Sequence, residues 1–104
     1  MNKAEQHIDT VSYYLAQLGE ECGEIQQNIG KCLRFGVYDI NIKEPSGPHN
    51  LDRLRQEITD MVGVWECLCY ELCEDSELVY HDIQARKVKT EKWKKYAESI
   101  GIVG

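Results

Sequence analysis

The chain has 104 residues, with twelve Lys and Arg against eighteen Asp and Glu, for a formal net charge of −6. That length fits a single domain, 1–104, small enough that association with further copies would help it bury apolar surface. The acidic balance excludes broad electrostatic or stable binding to nucleic acid, which needs an excess of basic surface.

The N-terminal MNKAEQHIDT lacks the apolar core of a signal peptide, and no apolar run approaches the length of a membrane span. The expectation is a cytoplasmic protein with no membrane partner. Cys22, Cys32, Cys67, Cys69 and Cys73 are odd in number and lack paired CxxC spacing, so they read as reduced thiols. Small apolar filler is the expected role of Cys69 and Cys73, with zinc at their i,i+4 spacing as the competing one.

From about Glu5 to Leu33 the apolar residues Ile8, Val11, Leu15, Leu18, Cys22, Ile25, Ile29 and Cys32 or Leu33 recur at steps of three and four. That is a helix with a heptad-like seam. Gly19, Gly23 and Gly30 weaken its propensity, so close packing is expected to hold it, with room at Gly19 and Gly23 for a bulky ligand or a neighbouring helix. Residues 34–50, RFGVYDINIKEPSGPHN, form a connection longer than a plain turn, within which VYDINI alternates like a short strand. Asn50 is the expected N-cap of a second helix, with Asp52 in its first turn. Its seam is Leu51, Leu54, Ile58, Met61, Trp65, Leu68 and Leu72, and it ends near Cys73. Ser76 is the expected cap of a third helix, from roughly Glu77 to Ser99, with the seam Val79, Ile83, Arg86, Thr90, Trp93, Ala97 and Ile100. Both Trp65 and Trp93 are expected in the core. Arg86 at a seam position, flanked by Lys89, calls for an anionic partner. Lys92, Lys94 and Lys95 read as a solvated face. The pattern as a whole predicts an all-α fold: an antiparallel helical hairpin plus a third helix, assembling into an oligomeric helical bundle, a homodimer or homotetramer.

Two acidic steps stand out. EECGE carries Glu21 and Glu24, and EITD carries Glu57 and Asp60. At about 100° per residue, Glu21 and Glu24 lie roughly 80° and 140° from their seam, and Glu57 and Asp60 about 60° and 120° from theirs, with the same sense of rotation. In an antiparallel hairpin those positions fall on one side. Their heights above the connection, about 15 Å and about 13 Å, also agree. Four carboxylates brought together repel unless cations neutralise them, and hard oxygen ligands without His or Cys suit Mg²⁺ or Mn²⁺. The competing reading of either pair is a solvated helix flank.

With E20-E21-x-x-E24 followed by E57-x-x-D60, KCLRFG after the first acidic pair, and KTEKWKKY on the last helix, the chain resembles the MazG-like all-α nucleoside triphosphate pyrophosphohydrolases, particularly the small phage and bacterial members. The resemblance covers about Leu15 to Tyr96. It implies Mg²⁺-dependent hydrolysis of a nucleoside triphosphate to the monophosphate and pyrophosphate, with Glu21, Glu24, Glu57 and Asp60 as metal ligands. Glu20 or Glu24 would orient or deprotonate the attacking water, while Arg86 and Lys89, with Lys31 and Arg34, would stabilise phosphate charge. Tyr14, Gln17 and Asn28 lie near the carboxylate ridge as base or sugar contacts, with packing the competing role. The 34–50 interval departs from the family pattern and puts substrate choice in doubt. A di-iron bundle would need Glu-x-x-His steps, absent from both acidic pairs. The stronger alternative is a non-catalytic oligomeric helical interaction module.

Overall fold

The computed structural model describes residues 9–41 and 43–104, so the expected helix start at Glu5 and the seam residue Ile8 lie outside the described residues, as does Ile42. The described residues form three helices and no strand: α1 (Thr10–Phe35), α2 (Asn50–Glu71) and α3 (Tyr80–Ser99). None is long and apolar enough to cross a membrane.

Asp9 caps α1, its Oδ1 accepting the Ser12 N–H at 2.7 Å. The helix stops where Gly36 turns to φ 99°, a region that favours glycine, and donates its N–H to the Cys32 carbonyl at 2.9 Å. The connection then returns to its own start. The Asn50 N–H donates to the Asp39 carbonyl (2.9 Å) and the Leu51 N–H to the Val37 carbonyl (2.8 Å). These bonds replace the short strand expected at VYDINI.

Asn50 is not the N-cap. His49 occupies that position without a side-chain bond, and Asn50 is the first residue of α2, buried at 7% exposure. Its amide Nδ2 donates to the Gly36 carbonyl at 3.0 Å. The side chain ties the end of α1 to the start of α2 instead of satisfying the N–H groups of its own helix.

α1 and α2 pack against each other, while α3 packs against neither. The less exposed side of α1 carries Val11, Tyr14, Leu18, Glu21, Ile25 and Cys32, with Asn28 buried among them; Leu15, Cys22, Ile29 and Leu33 are exposed. On α2 the corresponding side carries Leu54, Glu57, Met61, Val64 and the buried Leu68, while Ile58 and Leu72 are exposed. The contact is therefore rotated by roughly 60° from the centre of the α1 apolar seam, towards the acidic residues. Of the cysteines, Cys69 fills the core as expected, but Cys73 is exposed.

α3 begins at Tyr80, with Val79 in the cap position. Ser76 does not cap it; the Ser76 carbonyl accepts the Trp65 indole N–H at 2.9 Å, which holds the 72–79 segment against α2. No residue of α3 is buried: Trp93 is 58% exposed and so not core, and Arg86 is exposed and so faces no core within its own chain. The radius of gyration is 18.5 Å, against about 13 Å for a compact chain of this length.

Replacing Asn50 by Ala removes the amide bridge to Gly36 while leaving α2 a good helix former. Chemical denaturation is expected to show a loss of about 1 kcal/mol, the net worth of one such hydrogen bond.

Candidate metal centre

Packing of α1 on α2 places Glu21 beside Glu57 and Asp60. One carboxylate oxygen from each lies within 4.8 Å of the other two. Glu21 and Glu57 are half-buried and stand on the packing sides of their helices, where an aliphatic residue would be the ordinary choice. Asp60, one turn beyond Glu57, accepts a hydrogen bond on Oδ1 from Gln56 Nε2 at 2.8 Å. The Glu21 Oε2 atom is buried and has no hydrogen-bond partner among the described residues.

Burial pushes the Glu21 carboxyl above its ordinary pKa, and the Asp60 charge, a hydrogen bond with the Glu57 carboxyl, and the charges of Glu57 and Glu24 push it further the same way. Such a group is relieved either by a proton or by a cation. Three hard oxygens without nitrogen or sulphur fit Mg²⁺ or Mn²⁺ in chemistry, and the unpartnered Oε2 leaves a lone pair free for such an ion.

The fourth expected ligand, Glu24, lies outside this three-oxygen group. It is exposed and lines a cavity of ≈ 450 Å³ between α1 and α2, together with Asn28, Lys31, Arg53 and Glu57. Glu20 is exposed, and its Oε2 accepts from Gln17 Nε2 at 3.4 Å. Tyr14 is half-buried and meets Tyr13 edge-on at 5.7 Å. Asn28 is buried at 7% exposure, and its amide donates to the Glu24 carbonyl at 3.0 Å, an intrahelical bond of the packing kind.

Among the expected phosphate contacts, Lys31 lines the cavity beside Glu24. Arg34 lines a second cavity of ≈ 430 Å³ that shares Lys31 and Arg53 with the first, and its guanidinium stacks over the Phe35 ring at 5.5 Å. Arg86 and Lys89 belong to α3 and are not brought to the carboxylates within one chain. The sequence reading missed Arg53. It borders both cavities and pairs with Glu44 of the connection at 3.1 Å. Its position four residues before Glu57, on the same helix face, is the signal that would have found it.

Comparison of the chain with protein-family models, with curated proteins and with solved structures gives no match.

Because the raised Glu21 pKa belongs to the folded state, the folded chain holds that proton more tightly than the unfolded one. The associated stability is lost as pH rises from the ordinary value of 4.5 through the raised one. Thermal unfolding in chelator should therefore show Glu21→Gln more stable than the parent at pH 7, with the gap shrinking as pH falls towards 4.5. An equal gap at both pH values would remove the electrostatic account.

Proposed function

We propose that this chain is an Mg²⁺-dependent hydrolase (Mn²⁺ serving in its place) that converts a nucleoside or deoxynucleoside triphosphate to the monophosphate and pyrophosphate. The observation that carries this reading is the convergence of the Glu21, Glu57 and Asp60 oxygens, with Glu21 Oε2 buried and unpartnered. In this reading α1 and α2 run antiparallel as a hairpin. Contact of Gly36 with Asn50 at one level, and of Glu21 with Glu57 and Asp60 at another, supports that arrangement. The exposed apolar side of the pair supports a homo-oligomer, and the five free thiols agree with a reducing, cytoplasmic setting.

Glu21, Glu57 and Asp60 hold the ion. When bound, it supplies neutralisation of phosphate oxygens and a lowered pKa for the attacking water. The triphosphate lies in the adjoining cavity, where Lys31 and Arg53 neutralise the β- and γ-phosphates. Arg53 exchanges its Glu44 partner for a phosphate oxygen as substrate enters. The exposed Glu24 carboxylate orients the water and takes its proton as the new P–O bond forms at the α-phosphorus. The bond from that phosphorus to the bridging oxygen breaks, and pyrophosphate leaves with the electron pair.

Incubation with a panel of ribo- and deoxyribonucleoside triphosphates, including base-modified ones, and Mg²⁺ is expected to release pyrophosphate and not orthophosphate. Glu57→Gln and Asp60→Asn should each lower turnover by roughly a thousandfold with helix content unchanged. The second reading, a non-catalytic oligomeric interaction module, is favoured by the extent of exposed apolar surface. It would be selected by absence of turnover across the panel together with absence of Mg²⁺ or Mn²⁺ binding. Arg53→Ala should raise KM about tenfold or more, as expected when a charge-assisted phosphate contact is lost.

A further inference from the structure

The space beside the carboxylates continues towards the 36–49 connection. The ≈ 450 Å³ cavity that holds Glu24 and Glu57 meets the ≈ 430 Å³ cavity at the end of α1, and Lys31 and Arg53 border both. Arg53 stands about 6 Å along α2 from Glu57, on the side of the connection. Lys31 stands about 10 Å along α1 from Glu24, again on the side of the connection. Arg34, three residues beyond Lys31 on the same face of α1, lines the second cavity and not the first. The connection supplies Asp39 and Asn41 to that cavity. Its position is held by the Asn50 N–H on the Asp39 carbonyl and by Glu44 on Arg53.

Charge changes sign from one cavity to the next. Lys31 and Arg53 line the first against Glu24, Asp52 and Glu57, so carboxylates outnumber cations there. Lys31, Arg34 and Arg53 line the second against Asp39 alone, so it is cationic in a chain of net charge −6. Neither Lys31 nor Arg34 has an ion-pair partner among the described residues. Cations whose task was to offset Glu21, Glu57 and Asp60 would gain more by standing nearer to them, because the attraction falls with distance. The guanidinium of Arg34 rests on the Phe35 ring at 5.5 Å, and its planar fork of donors suits a pair of phosphate oxygens. Asn41 Oδ1 accepts the Lys43 N–H at 3.0 Å, which leaves its Nδ2 group as a donor.

We propose that the second cavity takes a fourth phosphate, so that the substrates of this chain are nucleotides whose phosphate chain continues past the γ-phosphate: nucleoside 5′-tetraphosphates, or two nucleosides joined through four phosphates. This rests on the hydrolytic reading, in which the α-phosphorus is attacked beside Glu24 while Lys31 and Arg53 meet the β- and γ-phosphates. A chain laid in that order points its γ-phosphate at the second cavity, where Arg34 and the Asn41 amide donate to the phosphate that follows. A triphosphate stops short of that cavity and leaves its excess positive charge to water. The bonds made and broken stay the same. The water oxygen joins the α-phosphorus, its proton passes to Glu24, the bond to the bridging oxygen breaks, and the leaving group takes the electron pair. A nucleoside tetraphosphate then yields the monophosphate and inorganic triphosphate. A dinucleoside tetraphosphate yields a nucleoside monophosphate and a nucleoside triphosphate.

The test compares adenosine triphosphate, adenosine tetraphosphate and diadenosine tetraphosphate on the full chain with Mg²⁺. Calorimetry should show the tetraphosphate bound about tenfold or more tighter than the triphosphate, as an added charge-assisted contact would give. Arg34→Ala should erase most of that preference, and Arg34→Lys should keep part of it. Backbone amide resonances of Ile40 and Asn41 should move with the tetraphosphate and stay in place with the triphosphate. Chromatography should find inorganic triphosphate released from adenosine tetraphosphate, and adenosine triphosphate released from the diadenosine compound. Tighter binding of the diadenosine compound as well would identify an esterified fourth phosphate as an occupant, and of adenosine tetraphosphate alone a free terminal one. Equal affinity for the triphosphate and the tetraphosphate would overturn the proposal. So would a preference that survives Arg34→Ala at full strength. Turnover of the triphosphate with no preference for the longer chain rejects the fourth-phosphate site and keeps the hydrolase. An Arg34-dependent preference in binding, with no nucleotide turned over, rejects the hydrolase and keeps the binding site.

Discussion

Carboxyl groups whose oxygens lie within 4.8 Å of one another repel, and in this chain three of them stand where two helices meet. Glu21 and Glu57 take up positions in the α1–α2 contact that aliphatic side chains would fill with greater gain in stability. The described residues bury only Leu68 and Cys69 as apolar core, so the contact has little surplus with which to offset that repulsion. A divalent cation among the oxygens would turn the same geometry from a liability into a cross-brace between helices. Stability and the proposed chemistry thus draw on one interaction: the coupling of Glu21 to the acidic pair across the contact.

The rotation of the contact ties the remaining features together. Had α1 and α2 met through the centre of their apolar seams, Cys22 and Ile58 would be covered and Glu21 and Glu57 would sit on the flank in water. Turning both helices by a fraction of a turn carries the carboxylates into the contact and carries Leu15, Cys22, Ile29 and Ile58 out of it. The buried Oε2 and the uncovered apolar row are two consequences of the same turn. Asn28 and Asn50 fit this picture as buried amides, each committed to a backbone carbonyl, at Glu24 and Gly36. They let a polar contact exist in place of an oily one without leaving their N–H groups unmatched.

Three helices at nearly the observed limits were legible in the sequence, because steps of three and four over long stretches survive any choice of partner. The convergence of Glu21, Glu57 and Asp60 was legible too, since helical rise and turn fix height and angle. What the periodicity could not carry was the choice of face within a broad apolar stripe. The rotation leaves Glu24 bordering the cavity, beside the three-oxygen group. Local signals failed where a side chain had a more distant partner. Asn50 reads as a cap, but its amide spans fourteen residues to Gly36. Ser76 reads as a cap, but its carbonyl holds Trp65. Arg53 was passed over because its importance comes from the fold of the connection, which sets Glu44 against it and opens cavities on either side.

α3 raises the question of how much the site depends on it. An isolated twenty-residue helix is marginal in water, and this one has only the Lys94–Glu98 contact at 4.0 Å along its charged side. Its apolar seam, with Ile83, Trp93 and Ile100 each about half exposed, gains most of its stability when it finds a cover. Its basic residues would be drawn towards the acidic side of an α1–α2 pair. In the proposed reaction, phosphate neutralisation nevertheless does not wait on that encounter. Lys31 and Arg53 already border the cavity beside Glu24 and Glu57, on helices whose relative position is fixed by their own contact. In the proposed reaction, cations on α3 add field strength to a site that α1 and α2 assemble by themselves.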